Sequence, residues 1–187
     1  MHYMFLKYGL RFLFLLMPVC AFSQWDNGQV SVFFSMPEVA LVDIEPGVNN
    51  RIHFTLSAST ESGSQPVIEE SADETLWINY SSALAGQQGS RSVTAELSQG
   101  ALPEGLRLYL EASDYTGGGD GQVGQPAGKI ELSNQPRPVI TGIGNCYTGD
   151  GIQNGHRLTF SIEISDYANM AAAGQFNFVV LYTLTDN

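Results

Sequence analysis

Acid–base or nucleophilic chemistry needs a titratable side chain held beside a nucleophile or a second carboxyl group. Beyond His2, the chain offers two histidines, His53 and His156. His53 stands between Ile52 and Phe54, on the polar side of an alternating stretch, and His156 follows a glycine-rich run and opens another alternating stretch. No Gly-x-Ser-x-Gly elbow occurs, and neither His has Cys or carboxylate partners at ligand spacing. A Ser–His–Asp hydrolase and a zinc centre are therefore not expected, and both histidines read as surface or strand-end residues. Glu69, Glu70, Asp73 and Glu74 lie close together, and Glu111 and Asp114 close a predicted strand. Paired carboxyls are what a glycosidase uses, but the same spacing suits solvated loop charges. The expectation is a protein without catalytic activity.

Two loops are richer in oxygen ligands. Asp114-Tyr115-Thr116-Gly117-Gly118-Gly119-Asp120-Gly121 places two carboxylates around a glycine run, and the stretch from Asn145 to His156 adds Asp150 with amides and turn glycines. Calcium takes roughly six to eight oxygen ligands from such groups, so Asp114, Asp120 and Asp150 are the candidate metal ligands. The EF-hand spacing is absent, and Asp-Gly or Asn-Gly pairs also simply make turns. Calcium is the one cofactor the sequence leaves open. Gly142-Ile143-Gly144 lacks the Lys and the following helix of a phosphate cradle.

Aromatic side chains on an outer β face can stack on sugar rings, and they also cover edges and build subunit contacts. If Leu76, Ile78 and Tyr80 point inward, Trp77 points outward; Tyr109 is outward on its own strand, and Tyr147 lies in the second loop. These three are the candidate ligand-binding residues, with a glycan as ligand. Trp25 is a further aromatic near the start of the chain.

The elements that position these residues alternate with period two, the signature of strands with one buried face. Inward rows are Ile52, Phe54 and Leu56; Val93, Ala95 and Leu97; Leu106, Leu108 and Leu110; Leu158, Phe160, Ile162 and Ile164; and Phe176, Phe178, Val180, Tyr182 and Leu184. Weaker strands are predicted over 29–35, 39–44, 76–81, 129–133 and 139–143. Clusters such as Glu45-Pro46-Gly47 and Leu102-Pro103-Glu104-Gly105 punctuate them as turns. Helical periodicity is confined to a turn or two from Asp166 to Ala173. About ten short strands predict an all-β fold: a single antiparallel β-sandwich, Ig-like/Greek-key or jelly-roll-like.

The first residues carry a different signal. Lys7 and Arg11 give a positive start, the run to Val19 is apolar, and Ala21 and Ser23 are small. That order is a secretory signal peptide, predicted to span 1–23 and leave a domain over 24–187. Cleavage after Ala21 is the alternative site. An uncleaved anchor would need roughly 20 apolar residues, and lipid attachment at Cys20 lacks the small residue usual before it. The expected location is secreted, periplasmic or cell-surface, with no stable transmembrane span after processing.

The full chain has a net charge of −11, and two of its eight basic residues, Lys7 and Arg11, belong to the predicted leader. So acidic a surface repels phosphate backbones and anionic lipid, which excludes nucleic acid as a partner. Cys146 would stand alone after processing, either buried or paired with another molecule. The expected function is an exported structural or adhesive protein of the cell envelope or surface. It would act through contacts with other envelope proteins or with itself; the alternative is an extracellular glycan-binding module.

The two ends bear on assembly. Gln29-Val30-Ser31-Val32-Phe33-Phe34-Ser35-Met36 is extended and alternating, and Phe176 to Leu184 forms an alternating last strand. In that pattern the chain resembles subunits of chaperone-assembled pili. The resemblance implies that a neighbour's strand completes the fold by β-augmentation.

Overall fold

A computed structural model describes residues 29–48, 50–86, 89–170 and 175–187. The predicted leader and Trp25 lie outside the described residues. Met36–Asn187 forms one compact unit; residues 29–35 belong to a separate one and have no assigned strand. The strands are β1 (Val39–Glu45), β2 (Leu56–Ser57), β3 (Val67–Ile68), β4 (Ala72–Ala83), β5 (Arg91–Gln99) and β6 (Leu106–Ala112). They continue with β7 (Asp120–Pro126), β8 (Ile130–Glu131), β9 (Arg137–Tyr147), β10 (His156–Ile164) and β11 (Val179–Asp186).

Apart from the β2–β3 pair, the strands follow the order β11-β5-β9-β4-β10-β6-β8, with β1 on β4 and β7 on β9, all antiparallel. β4 and β9 touch only at Ser81↔Tyr147 and Ser82↔Cys146. That narrow junction is a corner. It leaves two leaves, β1-β4-β10-β6-β8 and β11-β5-β9-β7, whose inward rows meet in a single core. From β4 to β11 every connection crosses from one leaf to the other, so no strand pairs with its sequence neighbour. The fold is an all-β sandwich.

Alternation explains why these residues form these strands. Val93, Ala95 and Leu97 of β5, Leu108 and Leu110 of β6, and Leu158, Phe160 and Ile162 of β10 are buried, while the residues between them are half-buried or exposed. Each fully buried aliphatic contributes about 1.5–3 kcal/mol, and a register slip of one residue would turn a whole row outward.

Besides residues 29–35, predicted to form a strand and without one, three elements depart from the sequence reading. Ile52 and Phe54 pack against the core, but only Leu56–Ser57 of that stretch joins a ladder. Alternation reports side-chain surroundings and cannot supply a partner strand. The run from Asp120, read as the end of a glycine loop, is strand β7. Gly121 has φ +95, and a Cβ there would lie 2.2 Å from Asn145 O, so the glycine permits a close backbone approach. The last strand starts at Val179 instead of 175; Phe176 is exposed, whereas Val180, Tyr182 and Leu184 pack inward as predicted. Asp166 does cap a short 3-10 turn, Tyr167–Asn169, by accepting from the Ala168 N–H at 3.1 Å.

One buried charge ties the two leaves at one pole. The Arg91 side chain is 3% exposed. Its Nε donates to Asp186 Oδ1 at 2.7 Å, and Nη1 donates to Ser82 Oγ at 3.2 Å, to Ala83 O at 3.4 Å and to Val39 O. Nη2 donates to Glu38. The guanidinium thus clamps the start of β1, the end of β4 and the end of β11. The pairs Arg107–Glu131, Lys129–Glu163 and Arg157–Glu74, at 2.8–3.0 Å, are all about half exposed. Solvent screening leaves such pairs little net stabilisation.

Candidate functional site

The two glycine-rich loops come together because of the ladders beneath them. β7 pairs with β9 through Asp120↔Tyr147, and β6 pairs with β10 through Leu158↔Ala112. The loops that follow β6 and β9 therefore meet, and Thr116 bridges to Gly155. What they enclose is His156, fully buried. His156 opens β10 as expected but is buried and not at the surface, whereas His53 is exposed. The reason is positional: His156 falls on the inward row that continues through Leu158 and Phe160.

The imidazole is held by polar groups on both sides. Nδ1 lies 2.7 Å from Ser113 O and Nε2 lies 2.8 Å from the Tyr80 hydroxyl, which also donates to Val123 O. Tyr80 stacks on the ring with centroids 5.9 Å apart, and Tyr115 meets it edge-on at 5.9 Å. The Tyr115 hydroxyl donates to Thr148 O at 3.2 Å and accepts from the Gly119 N–H at 2.7 Å. Buried Thr148 accepts from the Tyr80 N–H at 3.0 Å. Asn154 joins the loops, accepting from the Gly118 N–H at 3.2 Å through Oδ1 and from Asn79 Nδ2 at 2.6 Å through its carbonyl.

Burial sets the titration of these groups. Desolvation lowers the His156 pKa below its ordinary value, against the pull of the Ser113 and Val123 carbonyls and the Asp114 charge. Burial also raises the Tyr80 hydroxyl, with Cys146 and Tyr115 adding, and pushes the Cys146 thiol up to about 11. A histidine kept neutral in the fold stabilises it above its unfolded pKa of roughly 6.5 and destabilises it as pH falls toward the folded value. The denaturant midpoint should therefore drop on acidification below about pH 6.5, and His156→Gln should flatten that drop. Urea titrations of both proteins across the range check this; parallel pH profiles would refute it.

Among the described residues, the one hydroxyl or thiol that meets the imidazole is the Tyr80 phenol, whose pKa burial raises. The candidate calcium ligands are not gathered. Asp120 Oδ1 accepts from the Gly121 N–H at 2.7 Å, and the Asp150 carbonyl accepts from Asn154 Nδ2 at 2.7 Å. Among the described residues no three His, Cys, Asp or Glu side chains converge as a metal site.

The candidate aromatics are dispersed. Trp77 is half-buried on the outer side of β4 between Glu45 and Arg157. Tyr109, on β6, lies beneath Lys129, whose Nζ is 4.2 Å from the ring centroid. Two strand spacings and four residues of offset along β10 separate Trp77 from Tyr109, roughly 16 Å. Tyr147 is exposed at the corner, opposite Ser81 and Asp120. These rings do not form one stacking platform.

The outer edges of the leaves differ in a way the sequence reading did not separate. β8 has two residues beside Lys129. β7 is broken by a register shift between Gly121 and Val123 and ends in Pro126. β1 carries Asp43 and Glu45. Those are devices that blunt an edge. β11 has a register shift only at its very start, between Val179 and Val180; Val179 to Thr185 are seven residues without charge or proline, and Val179 and Leu181 are about half exposed. Comparison with protein-family models, with curated proteins and with solved structures finds no match.

Proposed function

We propose that this chain is an exported structural or adhesive protein of the cell envelope or surface, acting through protein–protein contacts and not through catalysis. The observation that carries the reading is β11, an eight-residue edge strand that lacks charge up to Asp186 and, among the described residues, has no ladder partner along one side. Natural sheets shield such strands unless they pair with something. Further support comes from the use of His156 as a buried packing residue. Residues 29–35 add exposed Val30, Val32, Phe33 and Phe34.

Chemical cross-linking of intact cells, followed by surface proteolysis, tests the reading. The chain should be recovered outside the cytoplasm in higher-mass adducts and should be cut by added protease. A cytoplasmic protein that keeps its first 23 residues and gives no adducts would refute it. Glycan binding finds less support, because Trp77, Tyr109 and Tyr147 face three separate patches.

A further inference from the structure

We infer that β11 pairs antiparallel with β11 of a second copy, joining the β11-β5-β9-β7 leaves of two molecules into one continuous sheet. The inference deepens the reading of a contact-forming protein and rests on it. Strand β11 bonds to β5 on one side, and among the described residues its other side has no ladder partner. β1 comes near it at the pole held by Arg91.

Charge selects a second copy as the occupant. In a chain of net charge −11, two copies repel wherever their acidic surfaces meet. Val179 to Thr185 is uncharged, and the Asp186 carboxylate is already bound by Arg91. Next to it, the outward side of β5 presents Thr94 and Ser98, beyond the buried Ser92, with a single carboxylate, Glu96. Several of these hydroxyls are internally satisfied: Thr94 Oγ1 donates to Thr183 O at 3.4 Å, Ser98 Oγ to Val179 O at 3.3 Å, and Thr185 Oγ1 to Ser92 O at 3.3 Å. Covering them forfeits few bonds to water. The outer side of the other leaf, by contrast, carries three ion pairs.

Geometry selects the antiparallel mode. A strand set against its own copy makes an isologous contact that closes as a dimer. The backbone groups of β11 supply the bonds, and the exposed Leu181 and Val179 supply apolar contact beside them. The Arg91 clamp holds one end of the strand in place, so less ordering is needed on association.

Sedimentation velocity and amide hydrogen exchange on the full exported chain, from low to high micromolar concentration, test the pairing. A dimer should form, with β11 amides protected as concentration rises. The outward-facing substitutions Leu181→Lys and Thr183→Lys together should weaken it by roughly tenfold or more, since like charges oppose across the new ladder. Leu41→Lys, equally outward on β1, should leave it unchanged, and melting curves would show that each variant folds. A wild-type chain that stays monomeric, or a dimer that survives the double substitution, overturns the inference. Cross-links to other envelope proteins from a monomeric chain would leave the proposed function standing; a monomer without any cross-links would remove both.

Discussion

Replacing Arg91 with methionine is expected to lower the unfolding free energy by about 3 kcal/mol. For a domain of this size that is a fall of about 9 °C in melting temperature. Glu38 and Asp186 lose little, because their side chains are 49% and 73% exposed and can return to water. The cost falls on Val39 O, Ala83 O and Ser82 Oγ, which lose a donor at a buried pole. Methionine nearly fills the volume, so the loss reads polar satisfaction and not a cavity. Asp186→Asn keeps an acceptor for Nε and should cost under about 1 kcal/mol. Urea titrations of both variants would check the ranking, and equal losses would show that the exposed carboxylate, not the carbonyl set, holds the clamp.

Gly155→Ala should be costlier still. Gly155 has φ +79, and a Cβ there would lie 2.0 Å from Ile78 O, a ladder carbonyl that cannot swing aside. The substitution must pry the loop off β4 beside Asn79 and the buried His156, at a cost of about 4 kcal/mol or more. Gly151 is the internal control: φ is +84, but nothing lies within 4 Å of its would-be Cβ. Gly151→Ala should cost only the left-handed backbone term, about 1–2 kcal/mol. Soluble yield and denaturant midpoints for the pair measure the difference. Similar midpoints would mean that the loop relaxes freely around His156.

The core was legible because its information is local. Leu158, Phe160 and Ile162 announce their burial by spacing alone, and so do Val93, Ala95 and Leu97. β7 was illegible for the opposite reason. Between Asp120 and Pro126 its residues are Gly, Gln and one Val, and it is a strand because Asn145 and Cys146 accept a glycine backbone at close range. The loop cluster was half legible: glycines and aspartates pointed to the right two segments but not to the buried group that joins them. What organises them is Tyr80, Tyr115, Thr148 and His156, distant in sequence and joined only when β4, β9 and β10 meet. Tyr80 was predictable as an inward residue, but its hydroxyl partner was not. Arg91 was missed because, in a row that reads Arg-Ser-Val-Thr-Ala, nothing marks a cation as buried.

The clamp also decides how the sandwich bears tension. Both β1 and β11 present their outermost rung, Val39↔Ala83 and Asp186↔Arg91, at the same pole. A pull entering there would peel each strand from its neighbour rung by rung, the weakest way to load a ladder. Arg91 is bonded to both outermost rungs at once. Neither strand can start to unzip until the guanidinium gives up its partners together, so one side chain sets the force at which the sandwich begins to open.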